Sequence, residues 1–252
     1  MALTTGIGIY TSSETLREEA EQLADKLDLP LLQAEPPKKS RGLLLRLEDD
    51  GLSLTDGNLF MKGDLTSMLP RLKQNNLNRE LLVKAAKKNG EAPLAVDATA
   101  GMGEDALLLA ASGFRVLLFE YDPVIAALLA DSLKRASEDE QLSPVVSRMT
   151  LISGDSIHGM QQLSERPAVI LLDPMFPKRQ KSGLIKKKFQ LLQQLESPCS
   201  SEDELFGAAI AAAPGKIIVK RPAKGPFLSG KKPSYSLKGS AIRYDCYVYS
   251  GA

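Results

Sequence analysis

The chain has 252 residues, 43% hydrophobic and 25% charged, the composition of an ordinary globular protein. That excludes collagen, a disordered tail protein and a disulfide scaffold; two cysteines, Cys199 and Cys246, and a single histidine, His158, exclude a Cys-rich zinc centre and leave a His-based triad one possible base. The net charge of +1 hides an asymmetry, with 14 Lys/Arg against 5 Asp/Glu over residues 178–252 and 18 against 26 over residues 1–177.

Such a split suggests a side that faces a polyanion, the plainer reading being a solvated basic surface. No apolar run reaches 18 residues, so no transmembrane helix is expected. The first residues lack a basic n-region and a cleavage-like site. With so few cysteines, a reducing cytoplasm is the expected compartment.

Along the chain, the apolar alternation of residues 6–10 predicts a strand. Leu16, Ala20, Leu23, Ala24 and Leu27 then fall at helical spacing behind a Ser12 or Ser13 cap. GLLLRLEDDGLSLTDG reads as a hairpin turning at Asp49-Asp50-Gly51. Residues 1–65 are therefore expected to form a small α/β module, and residues 66–252 the main domain. A helix is predicted from about Asn78 to Gly90.

From residue 94 strands and helices alternate. Strands are predicted at 94–98, 115–120, 149–152, 168–173 and 216–220, with a closing pair near 234–238 and 243–249. Helices are predicted at 103–112, 123–137, about 183–195 and 202–212. This alternation predicts an α/β fold with a mostly parallel, doubly wound sheet finished by an antiparallel hairpin.

The strongest local feature is LAVDATAGMGEDALLLAASG. A strand ends at Asp97, the turn carries Gly101 and Gly103, and a helix starts near Glu104. Glycine allows the tight turn and lets a ligand approach the backbone closely. Two cofactors compete. Gly101-x-Gly103-x-x-Ala106, with Glu120 19 residues after Gly101, satisfies the dinucleotide fingerprint. However, Ala98, Thr99 and Ala100 separate the strand-end acid from the first glycine. A strand ending in Asp and followed by x-x-x-G-x-G resembles instead the first motif of class I methyltransferases, which implies S-adenosylmethionine.

The strand-end acids extend this pattern. Glu120 can accept both ribose hydroxyls from the edge of the sheet beside the glycine loop. Asp155 can accept from the adenine amino group, with the Ser156 amide donating to the ring; a plain helix cap is equally compatible. The fourth strand ends in LLDPMFPKRQKS. Asp173-Pro174-Met175-Phe176 resembles the [DNS]-P-P-[FYW] motif of methyltransferases acting on exocyclic amines. An acceptor at Asp173 or the Pro174 carbonyl makes such a nitrogen more available, and Phe176 can stack on an extruded base for roughly 1–3 kcal/mol.

VDATAGMGEDA, the acid at 120, LLDPMFPKRQKS and VKRP together resemble the bacterial small-subunit (16S) ribosomal RNA guanine-N2 methyltransferase family of the J type, over about residues 70–250. The family usually reads Arg-Asp after the glycine loop and Glu-Arg at the second strand end, where this chain has Glu104-Asp105 and Glu120-Tyr121. The resemblance implies a Rossmann-like class I methyltransferase sheet and cofactor positions at Glu104, Asp105, Glu120, Tyr121, Asp155, Ser156 and Asp173. The implied product is N2-methylguanosine in small-subunit RNA, free or in an assembling subunit.

The basic segments 178–188 and 216–243 would hold the RNA backbone. Candidates are Lys178, Arg179, Lys181, Lys186, Lys187, Lys188, Lys220 and Arg221. No metal or membrane partner is expected, and a monomer is the expected state. Two alternatives stay open at this point: a nicotinamide-dependent oxidoreductase, and a non-catalytic RNA-binding or assembly module on the same fold.

Overall fold

The computed structural model describes residues 6–37, 42–87, 89–174, 191, 195 and 202–249. They fall into two compact units. The first takes residues up to Asp64 together with Asp122–Arg135; the second takes residues 65–121, 136–174 and 202–249.

In the first unit, β1 (Ile7–Tyr10), α1 (Arg17–Leu27), β2 (Leu43–Glu48), β3 (Gly51–Thr55) and β4 (Phe60–Lys62) build a four-stranded sheet in chain order. β1 and β2 run parallel, with α1 between them in sequence; the later pairs are antiparallel. Ile9, Leu44, Leu45, Leu54, Ala20 and Ala24 are buried, as the alternation and the helical spacing require. The hairpin turns at Asp49-Asp50 into Gly51, whose φ of +115° only glycine adopts readily. β4 is too short for its alternation to register in the sequence.

The second unit opens with three short helices, α2 (Leu69–Leu72), α3 (Gln74–Leu77) and α4 (Leu81–Ala86). The single helix predicted over 78–90 is corrected here. The backbone is extended at Glu80 (ψ 129°) and left-handed at Lys87 (φ 42°), so the helix keeps only residues 81–86. There follow β5 (Leu94–Asp97), α5 (Glu104–Ala111), β6 (Arg115–Glu120), α6 (Pro123–Ser137), α7 (Ser143–Val146), β7 (Met149–Ser153), α8 (Ser156–Gln161), β8 (Val169–Leu172), α9 (Glu202–Ala211), β9 (Lys216–Pro222), β10 (Tyr235–Lys238) and β11 (Ile242–Val248). All but the last two residues of α6 belong to the first unit. The helix predicted at 183–195 lies almost wholly outside the described residues.

The seven strands are ordered β10-β11-β9-β8-β5-β6-β7. β7, β6, β5, β8 and β9 are mutually parallel, and β11 is antiparallel to both β9 and β10. The expected hairpin therefore inserts its second strand beside β9. Buried on both faces, the parallel strands read as near-continuous apolar runs. One core gathers Val96, Phe119, Ile170, Leu172, Phe206, Ile217, Val219 and Tyr247, with the Phe206 and Tyr247 rings edge-to-face at 4.9 Å. α5 is buried along Ala106–Ala110. No helix among the described residues is long and apolar enough to cross a membrane.

The chain order reverses between β8 and β5. In open α/β sheets, ligands bind at the carboxyl ends of the strands at such a switch point. Asp97, Glu120, Asp173 and Lys220 all stand at that edge.

Candidate active site

The loop from β5 to α5 is fixed by backbone bonds to its neighbours. Ala98 N–H donates to the Leu171 carbonyl (3.0 Å) and Ala100 N–H to the Phe119 carbonyl (3.0 Å). Gly101 (φ 53°) and Gly103 (φ 77°) turn the chain through left-handed conformations into α5. A side chain at Gly101 would project into open space, so the loop leaves room for a ligand against its backbone. Glu120, 8% exposed, accepts the Gly101 N–H at 2.8 Å through Oε2. A carboxylate thereby lies against the glycine loop, in position to take ribose hydroxyls.

From β7 the chain turns at Gly154, whose N–H donates to the Glu120 carbonyl at 2.8 Å. Asp155 is the N-cap of α8 and accepts from Ile157 N–H at 2.9 Å. It is the helix cap that the sequence allowed, and that bond uses one of its two carboxylate oxygens. Ser156 is buried, whereas Tyr121 is 73% exposed just past Glu120.

Asp97 is 2% exposed and accepts the Thr99 N–H at 3.1 Å. Burial, reinforced by the nearby Asp105 charge, pushes its carboxyl up to about 8, so it is predominantly protonated at neutral pH. Thr99 Oγ1 in turn accepts the Asp173 N–H at 2.7 Å, tying the end of β8 to the glycine loop. Sequence reasoning treated Thr99 as a spacer; a hydroxyl between the strand-end acid and the first glycine was the available signal.

Asp173 ends the fourth parallel strand, next to the buried Pro174. Burial, the largest influence, leaves its carboxyl above the ordinary aspartate value, against the downward pull of the Lys220 ammonium. Lys220 Nζ lies 2.9 Å from Asp173 and 2.6 Å from Asp105 in the first turn of α5. Those two carboxylates hold the ammonium well above the usual lysine range despite its burial. Glu104 sits beside Asp105 in the same turn, where acids suit the helix N-terminus.

Two of the basic residues read in the sequence as RNA contacts are turned inward. Lys220 is turned into the acid cluster. Arg221 is 2% exposed, and its guanidinium is engaged by Glu202 (3.2 Å) and the Pro226 carbonyl (3.0 Å). Arg243 is also internal. It pairs with Asp245, which is fully buried, and donates to the carbonyls of Pro222, Ala223, Gly225 and Pro226, fixing the loop after β9. Of the basic run 216–243, Lys224, Lys231, Lys232 and Lys238 are exposed. Phe176, Lys178, Arg179, Lys181, Lys186, Lys187 and Lys188 lie outside the described residues.

Strand order and glycine loop are those of an S-adenosylmethionine-dependent methyltransferase fold. The family described as "Putative SAM-dependent methyltransferase" matches residues 23–249. A ribosomal RNA small subunit methyltransferase J from Thioalkalivibrio sulfidiphilus is 42% identical, the match covering 97% of this chain and 98% of that protein. The protein of the same name from Pseudomonas syringae pv. tomato is 38% identical over 92% of this chain and 87% of its own. The crystal structure of a SAM-dependent methyltransferase from Neisseria gonorrhoeae superposes with a TM-score of 0.78, 28% identity and 97% coverage of each chain. The chain belongs to the ribosomal RNA small subunit methyltransferase J family. Membership decides for S-adenosylmethionine over a nicotinamide cofactor, and for an enzyme over a non-catalytic module.

Proposed function

We propose that this chain methylates the exocyclic N2 amine of a guanosine in small-subunit ribosomal RNA. The observation that carries the reading is Asp173 at the end of β8, its backbone N–H held by Thr99 of the glycine loop and its carboxylate paired with Lys220. The names of the relatives support the RNA, and the Asp-Pro-x-Phe pattern supports an exocyclic amine. The cofactor supplies, when bound, a methyl group on a positively charged sulfur. Glu120 would hold its ribose, Asp155 and Ser156 its adenine, and the Gly101–Gly103 backbone would pass alongside it.

The guanine amine is a weak nucleophile because its lone pair is delocalised into the ring. Asp173 would accept one amine N–H, which orients the amine and leaves its single lone pair more available for attack. The amine nitrogen would take the methyl group from the bound cofactor, which leaves as a neutral thioether, and the surplus amine proton would pass to Asp173 or to water. Rate enhancement then comes from orientation and from a fixed acceptor rather than from strong acid–base chemistry. Phe176 would stack on the flipped base, and the basic segment 178–188 would hold the flanking backbone.

The test is incubation of the full chain with methyl-labelled cofactor and small subunits or their RNA from cells lacking the enzyme, followed by nucleoside analysis. N2-methylguanosine is expected. Label on a ring nitrogen, on a ribose, or on another base overturns the reading. Asp173→Ala is expected to abolish transfer while RNA binding persists.

A further inference from the structure

Lys220 entered the sequence reading as a phosphate contact, and the structure gives it different work. β8 and β9 are parallel with Leu172 opposite Val219, so the next residues, Asp173 and Lys220, leave the sheet side by side. The ammonium then bridges two elements: Asp105 on α5 at 2.6 Å and Asp173 after β8 at 2.9 Å. Its side chain is 25% exposed, and its charge is already balanced by two carboxylates.

The surroundings show why a cation is needed there. Asp173 is faced by Asp97 from β5, Asp105 from α5, and Lys220 and Arg221 from β9. Tyr244, opposite Lys220 on β11, completes the shell, and the Arg71 guanidinium on α2 faces both Asp105 and Glu104 from outside it. Three carboxyl groups packed together cannot all ionise without a counter-charge. Asp97 accommodates this by holding a proton. Arg221 is committed to Glu202 and Pro226. Lys220 is the cation in direct contact with both remaining acids.

We infer that Lys220 is a positioning residue for methyl transfer: it holds Asp173 ionised, in one orientation, and ties it to the glycine-loop helix through Asp105. The inference rests on the reading of Asp173 as the acceptor for the target amine. An ionised, oriented carboxylate accepts the amine N–H, whereas a protonated one offers a competing donor. Lysine flexibility matters less than charge here, so arginine should substitute in part.

The test measures the titration of the Asp173 carboxyl by carbon-13 NMR in the full chain, assigned with Asp173→Asn. In Lys220→Met the midpoint is expected to rise by about one pH unit or more, and Lys220→Arg should bring it most of the way back. Asp105→Asn is expected to move it downward, because a like charge is lost and the ammonium is left to Asp173 alone. That variant keeps the test decisive should Lys220→Met fail to fold. The pH profile of single-turnover transfer to small-subunit RNA should follow, with the acid limb of Lys220→Met displaced upward and the high-pH rate approached again. An unmoved midpoint in these variants, or an equal loss of rate at every pH, overturns the role. Failure of the unsubstituted enzyme to methylate the RNA would overturn the substrate reading instead, and the titration would still judge Lys220.

Discussion

Replacing Asp97 by Asn should make the protein more stable at alkaline pH and nearly unchanged in acid. Asp97 is 2% exposed, and burial beside Asp105 lifts its carboxyl from the ordinary 3.8 to about 8. In the unfolded chain the group ionises near its ordinary value, so between those two pH values the folded state binds more protons than the unfolded one. Stability contributed by this group is then fully present below about pH 4 and is lost as pH rises toward 8. The slope is about 1.4 kcal/mol per pH unit. Between pH 5 and pH 8 the wild type should lose about 4 kcal/mol through Asp97 alone, a large share of a typical folding free energy. Asn keeps an oxygen to accept the Thr99 N–H and carries no charge at any pH. Urea unfolding of both proteins at pH 5, 6.5, 8 and 9 measures the difference. The Asn variant should gain on the wild type steadily from pH 5 to about pH 8 and then level off, with the same m-value. Parallel stability profiles would falsify the assignment of a protonated Asp97.

Three further outcomes are expected. Gly101→Ala should cost only about 1 kcal/mol of stability, the strain of φ 53° with no steric contact, yet weaken S-adenosylhomocysteine by calorimetry far more, because the methyl group enters the space left for the ligand; equal losses in both would count against a cofactor at that loop. Glu120→Gln should weaken the same ligand about 10-fold or more through loss of charge-assisted bonds to the ribose, while leaving the Gly101 N–H an acceptor; unchanged affinity would remove Glu120 from the site. Arg243→Met should destabilise by about 3–5 kcal/mol in urea unfolding, since it strands the fully buried Asp245, and the double change with Asp245→Leu should recover much of that; a single variant within about 1 kcal/mol of wild type would refute the account of the loop after β9.

Much of this protein is written locally. The apolar runs at residues 94–97, 115–120 and 169–172 make strands wherever the chain places them, and α6 begins where Asp122 caps the N–H groups of Val124 and Ile125. Gly101 and Gly103 stand at the turn because the left-handed positions on either side of Met102 favour them. Acids at the ends of parallel strands must gather at one edge once the strands are parallel, so the grouping of Asp97, Glu120 and Asp173 was legible. Short elements were not legible: β4 has three residues, and α2, α3 and α7 four each, too few for a period to show.

Tertiary structure alone decided which charges face inward. Lys220, Arg221 and Arg243 belong to a run of eight basic residues without an acid between 216 and 244, and in sequence they look the same as Lys224 or Lys238. Their partners, Asp105, Asp173 and Glu202, come from other elements or distant positions, while Asp245 reaches Arg243 from two residues along the same strand. A charge run records composition, whereas pairing depends on strand register and on which element lies next in space. The local pattern therefore fixed the edge on which these acids stand, and only the folded neighbours determined that Lys220 pairs with two of them.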